Sequence, residues 1–251
     1  MNIVKAISIS PRKGMRKKNI EFTRLIVGHG LEHDAHAGKW HRQVSFLAEE
    51  SITTMRKKGL DVVAGNFAEN ITTEGLDLPS LPVGKHLKIG EAELVISQLG
   101  KICHTRCAIY HQAGDCVMPR EGIFAVVVKG GDIKAGDTIE SQDQISTSCA
   151  LVTTEKLGDD ALQNLTNHLL TRLSPSFVRV DTVKSKEGGS LPEILEDLTV
   201  TQKISTIVVV DPQGLSALSM AGLQPSADGS GFCKNESLLY YCRSVKDAES
   251  I

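Results

Sequence analysis

The 251-residue sequence is poor in aromatic residues, 4% in all with a single tryptophan, so an extended base-stacking surface for single strands is not expected. An excess of one charge is also missing: 28 Lys and Arg against 30 Asp and Glu leave a formal net charge of -2. Neither nucleic acid nor an anionic membrane is therefore expected as a partner. No stretch approaches the roughly 20 apolar residues that a bilayer-spanning helix needs. Met1 to Ser10 alternate apolar and polar positions, where a secretory signal would carry a basic stretch and a long apolar run. Without an export signal, the six cysteines are expected as reduced thiols and the compartment as the cytosol. There is no internal repeat and no low-complexity tract. What remains, 41% hydrophobic and 23% charged, is an ordinary globular composition with room for one large domain or two modest ones.

Two halves differ in rhythm. Up to about Ser141 the chain reads as short strands punctuated by turns. Ile3, Ile7 and Ile9 precede a basic turn from Pro11 to Lys18, and Phe22 to Val27 form a second strand stopped by Gly28 and Gly30. A helix is predicted over Leu47 to Lys58, with Ala48, Ile52 and Met55 on one face and Gly59 as its C-terminal cap. His86 to Ile89 and Glu93 to Gln98 flank Gly90 as a hairpin, and Phe124 to Val128 lead through Gly130-Gly131 into Ile133 to Ile139. Glycine turns at this density imply a strongly bent, barrel-like sheet.

After Ser141 the pattern becomes α/β. Cys149 to Thr153 form a strand, Asp159 to Leu173 a helix, Phe177 to Val183 a strand, and Leu191 to Leu198 a short helix with Pro192 in its first turn. Ile204 to Val210 are continuously apolar, as in a parallel strand buried on both faces. This order predicts a small parallel sheet with helices against it. The polar segment Gln142 to Thr147 reads as the linker, which sets domains at 1–141 and 148–251.

Chemistry-bearing residues gather in three places. The densest contains Cys103, His104, Arg106, Cys107, His111, Cys116 and Arg120, just beyond the hairpin strand and so in a loop leaving the sheet. The thiolate is the reactive form of cysteine and nearby cations favour it. Arg106 and Arg120 could therefore activate Cys103 or Cys107, with His104 as proton acceptor. The competing readings are buried structural thiols, or a zinc site, for which the spacing lacks paired C-x2-C knuckles. The second cluster, His29 to Val44, holds His33, Asp34, His36, His41 and Arg42 and could bind an anion, arginine being shaped for phosphate oxygens. Its competing reading is a solvated loop. In the third, Gly65 to Ile71, Glu69 and Asn70 either fix a neighbouring loop or touch a ligand.

Together these segments resemble a MOSC domain, the module that terminates molybdenum-cofactor sulfurases. The resemblance rests on Gly30-Leu-Glu-His-Asp-Ala-His-Ala-Gly-Lys-Trp-His-Arg-Gln-Val-Ser45, Gly65-Asn-Phe-Ala-Glu-Asn-Ile71, Cys103-His-Thr-Arg-Cys-Ala-Ile-Tyr110 and Gly114-Asp-Cys-Val-Met-Pro-Arg-Glu-Gly-Ile-Phe-Ala125. It covers Met1 to about Glu140 and departs from the family pattern at His33, where glycine is usual. It implies a mostly β, barrel-like fold and a reactive cysteine that carries sulfur or ligates molybdenum. Cys103 matches the cysteine of the short bacterial members; Cys107, after Arg106, matches the Arg-Cys of members that hold molybdenum. His36, His41, Arg42, Glu69, Asn70, Arg106 and Arg120 are the implied contacts to molybdopterin or the molybdenum cofactor, and a cysteine desulfurase is the implied sulfur donor. A non-catalytic cofactor-delivery or scaffold module is the alternative. The second half resembles the Mog/MoaB molybdopterin-binding fold, with Asp211-Pro-Gln-Gly214 where that family has a Gly-Gly-Thr-Gly turn. Pro212 removes a backbone donor and Asp211 repels anions, so that site is expected to be degenerate.

Overall fold

The computed structural model describes residues 1–101, 108–183, 189–212, 224–225 and 231–251. The chain divides into two compact units, Met1–Ile145 and Ser146–Ile251. Among the described residues no helix is long and apolar enough to cross a membrane.

The first unit is mostly β. Its strands are β1 (Ile3–Ile9), β2 (Lys18–Ile20), β3 (Phe22–Ile26), β4 (Gly30–Leu31), β5 (Val44–Ala48), β6 (Ile71–Glu74), β7 (Lys85–Ile89), β8 (Ala92–Leu99), β9 (Ile123–Lys129), β10 (Gly131–Lys134) and β11 (Ile139–Ile145). Eight of them form one sheet in the order β11-β7-β8-β9-β5-β6-β1-β2; β10-β3-β4 form a second. All pairs in the large sheet are antiparallel except β5 with β6. Ile3 bridges Thr138, and Val4 N–H donates to the Asp137 carbonyl at 2.8 Å. The sheet thus curls until β1 meets the start of β11, enclosing a core that includes Ile7, Phe46, Ile71, Leu87, Leu94 and Ala125.

One helix, α1 (Glu49–Lys57), packs outside this sheet. Ile52 and Met55 lie on its buried face, one turn apart, and join Leu47, Phe67, Met118 and Phe124 in a second cluster. The helix begins two residues later than the sequence predicts, because Leu47 and Ala48 end β5. An apolar run that crosses a strand–helix junction suits either element, and pairing of Leu47 and Ala48 with Thr72 and Thr73 of β6 makes the choice. Two short helices, α2 (Ala108–Ala113) and α3 (Met118–Glu121), precede β9. The predicted linker is corrected at its start: Gln142 to Ile145 continue β11. Gln142, Asp143 and Gln144 are polar because β11 is the edge of the sheet and its outer residues face water.

The second unit is built on β12 (Cys149–Thr153), α4 (Asp159–Leu173), β13 (Val178–Thr182), α5 (Leu191–Glu196) and β14 (Thr206–Val210). After these come β15 (Gln224–Pro225), β16 (Phe232–Lys234), β17 (Ser237–Cys242) and α6 (Val245–Ala248). The sheet order is β13-β12-β14-β17-β16-β15, with the first four strands mutually parallel. Ile207 to Val210 are fully buried, and Leu165 and Leu169, one turn apart on α4, pack against Leu151, Val208 and Val210.

Candidate functional site

The polar centre of the first unit is a buried carboxylate. Asp34 Oδ2 accepts from Lys17 Nζ at 2.7 Å and from Asn70 Nδ2 at 3.0 Å, while Oδ1 accepts from Ser10 N–H at 2.9 Å. Burial by itself would raise the Asp34 pKa, but the Lys17 ammonium and the two amide donors outweigh it and hold the carboxyl below its usual range. Asn70 has no unused capacity. Its amide also donates to the Ser8 carbonyl, and its Oδ1 accepts from the Ser45 backbone N–H and hydroxyl at 3.2 and 2.9 Å. Glu69, completely buried, receives the Gly65 and Phe67 N–H groups and the Thr72 hydroxyl. Burial raises the Glu69 pKa, with these donors opposing. Glu69 and Asn70 thus hold the glycine turn against β5 and the Asp34 loop, with their polar atoms directed at protein.

His33 stands where the resembled pattern has glycine, and its φ of 63° lies in the left-handed region. The imidazole is tolerated there because histidine enters this region more readily than β-branched residues do. Three residues on, His36 Nδ1 lies 3.3 Å from the Ser10 hydroxyl. Its pKa is lowered by burial and by Lys17, Lys13 and Lys101, with Asp34 opposing.

His41 and Arg42 converge on one residue. Gln98 Oε1 accepts from His41 Nε2 at 2.8 Å and from Arg42 Nη1 at 3.5 Å, and Gln98 Nε2 donates to the Gly100 carbonyl at 2.7 Å. Because Oε1 can only accept, it places the His41 proton on Nε2. Gln98 is buried, and it gains this orientation from a bulge: Ile96 pairs with Ala125 and Gln98 with Phe124, so Ser97 is extra. The displaced Ser97 hydroxyl donates to the His41 carbonyl. Arg42 lies with its guanidinium carbon 4.6 Å above the Trp40 ring centre and 5.9 Å from that of Phe124. Gln98 carries no motif of its own in the sequence; its only sequence signal is a polar residue two positions before Gly100, near the end of a largely apolar strand.

Gly100 lies just ahead of the cysteine-bearing segment in the sequence. Its φ is 67° and an added Cβ would lie 2.2 Å from the Pro119 carbonyl oxygen, so only glycine fits. Its N–H donates to the Gly122 carbonyl at 2.7 Å, tying this position to the end of α3. Cys103, His104, Arg106 and Cys107 lie outside the described residues. Arg120 forms a two-pronged pair with Asp115, at 3.0 and 3.1 Å, joined by Lys58 at 2.6 Å. Arg120 and Lys58 depress the Asp115 pKa. Cys116 is buried in the outer core beside Met118. Among the described residues no group of His, Cys, Asp or Glu is placed to hold a metal.

In the second unit, the C-terminal ends of β12 and β14 lie side by side, with β13 and β17 beyond them. Asp211, directly after β14, is fully buried: Thr154 Oγ1 donates to its Oδ1 at 2.8 Å and the Tyr241 hydroxyl to its Oδ2 at 2.6 Å. Gln213 and Gly214 of the expected turn lie outside the described residues.

Residues 33–140 match the family model of the MOSC domain, so the first unit contains a MOSC domain over that range. Solved structures similar to the chain include the YUAD protein from Bacillus subtilis, at 18% identity and a TM-score of 0.48, covering 55% of this chain and 94% of that one. YiiM from Geobacillus stearothermophilus is 17% identical with a TM-score of 0.45, covering 57% of this chain and 76% of that one. YiiM from Escherichia coli is 20% identical with a TM-score of 0.44, covering 58% and 72%. A search of curated proteins gives no match.

Proposed function

We propose that the first unit binds an anionic molybdenum-cofactor species, and that a thiolate at Cys103 or Cys107 accepts and hands on sulfur or ligates molybdenum. The observation that carries this reading is the convergence of His41 and Arg42 on Gln98, whose amide bonds to Gly100, just ahead of the cysteine-bearing segment. The donor set suits such a group: Arg42 offers a guanidinium, and Lys13 and Lys101 add cations whose charge reaches His36. Arg42 and His41 would hold the anionic part, with Arg106 beside the thiols. The pair Asp34–Lys17, with Glu69 and Asn70, positions the loop without touching the ligand. Arg120 is engaged by Asp115, which Lys58 also pairs, so its guanidinium is already committed to a carboxylate. When bound, the cofactor supplies a metal centre that accepts a thiolate or sulfide ligand.

As a carrier, the chain's thiolate attacks the outer sulfur of a desulfurase persulfide. A new S–S bond forms on Cys103 or Cys107, the donor's S–S bond breaks, and the donor cysteine leaves as thiolate. In the second unit the buried carboxylate of Asp211 stands where an anion-binding turn is expected, which favours a structural role for that unit.

The reduced full chain, incubated with a cysteine desulfurase and cysteine, should acquire one sulfur on Cys103 or Cys107 by peptide mass analysis. Molybdenum cofactor added beforehand should slow alkylation of the same cysteine. Persulfide on neither cysteine removes the carrier role, and unprotected alkylation of both removes cofactor contact at this loop.

A further inference from the structure

Trp40 is the chain's single tryptophan and is 40% exposed. An isolated exposed aromatic needs no explanation. Trp40 is different because its neighbours fix its surroundings. Arg42 lies 4.6 Å over its ring, and the His41 ring meets it edge-on at 6.3 Å and 62°. Both neighbours are in turn held by Gln98. The indole and the guanidinium are therefore presented as one stacked unit, beside the strand end that leads into the cysteine loop.

A part-exposed indole attracts planar heterocycles by offset stacking, and an arginine stacked on it brings a fixed positive charge with planar N–H donors for an oxyanion. We infer that Trp40 is a stacking platform for the planar ring of an anionic heterocyclic ligand, whose anionic group is held by Arg42. This deepens the cofactor-binding reading above and rests on it. A role for Trp40 solely in holding Arg42 would produce anion affinity with no preference for a ring.

The full chain is titrated with neopterin monophosphate, with neopterin and with inorganic phosphate, following heat and tryptophan emission. Every photon of that emission comes from Trp40. Neopterin monophosphate should bind and quench more than half of the emission, whereas phosphate should bind more weakly and leave it unchanged. Trp40→Leu should weaken the monophosphate about tenfold, the scale of one lost ring stack, and leave phosphate affinity unaltered. Trp40→Phe should retain affinity within about threefold, since a ring remains. Monophosphate binding that leaves the emission unchanged, or is equal in the wild type and Trp40→Leu, overturns the platform while cofactor binding stands. Equal weakening of phosphate and monophosphate in Trp40→Leu also overturns it, because Trp40 then acts only through Arg42. Absence of binding by any probe defeats the cofactor reading itself, and the platform with it.

Discussion

Lys17 Nζ lies 2.7 Å from Asp34 Oδ2, with both side chains 1% exposed. Two ions so buried are tolerable only because they meet each other and because Ser10 and Asn70 satisfy the remaining carboxylate lone pairs. Lys17→Met leaves the carboxylate uncompensated and should cost about 3–5 kcal/mol in urea unfolding. Adding Asp34→Asn to that variant removes the stranded charge, keeps an acceptor for Ser10, and should recover most of the loss. The folded Asp34 pKa is depressed, so its stabilisation is complete above the unfolded value near 3.8 and disappears as pH falls through the folded value.

His36 provides a second titration. Burial and the field of Lys17, Lys13 and Lys101 hold its pKa below 6.5. Between the folded value and 6.5 the unfolded chain binds more protons, so this histidine makes the fold less stable as pH drops through that window. NMR titration of the imidazole should give a midpoint below 6.5, and Lys13→Ala with Lys101→Ala should move it upward without reaching 6.5. A midpoint insensitive to both lysines would leave burial and Lys17 as the causes of the shift.

Gly100→Ala should be far worse than Gly136→Ala. Both glycines have positive φ, 67° and 92°, but Gly136 has nothing within 4 Å of an added Cβ, whereas Gly100 meets the Pro119 carbonyl. The open position should lose about 1 kcal/mol from backbone strain, and the blocked one about 2–4 kcal/mol, read from thermal unfolding.

Cysteine labelling in the native chain should be selective. Burial pushes the Cys149 thiol up to about 12, and burial with Asp247 pushes Cys242 up to about 11. Cys233 is exposed. Alkylation at pH 8 followed by peptide mapping should find Cys233 modified in the folded chain and Cys149 only after denaturation. Native labelling of Cys149 at the rate of Cys233 would show that the second core opens.

Much of the fold was legible as local pattern. The α4 boundaries follow from leucines at helical spacing between Gly158 and Ser174, and β14 from an unbroken apolar run. The β7–β8 hairpin follows from alternation around Gly90. Edges and junctions were harder. Exposed β2 and the polar end of β11 carry no burial signal, and Leu47 and Ala48 satisfy strand and helix patterns equally. β16 is too short to carry a pattern, and the apolar run Leu238 to Cys242 of β17 suits a strand or a buried helix segment alike.

Sequence by itself determined which residue types gather: the His33 to Arg42 loop, the Glu69-Asn70 turn and the cysteine–arginine loop are each contiguous, and together they mark a MOSC domain. It could not assign their division of labour, because the partners are distant in the chain. His41 meets Gln98 across 57 positions, Asn70 meets Asp34 across 36, and Arg42 owes its place to a bulge that turns Gln98 inward. Tertiary structure decided that Glu69 and Asn70 brace the loop from inside, that Arg120 is engaged by Asp115, and that Trp40 stands part-exposed beneath Arg42. The physical reason is that hydrogen-bond capacity and burial belong to a packed neighbourhood, and a linear pattern records only which residues are available to fill it.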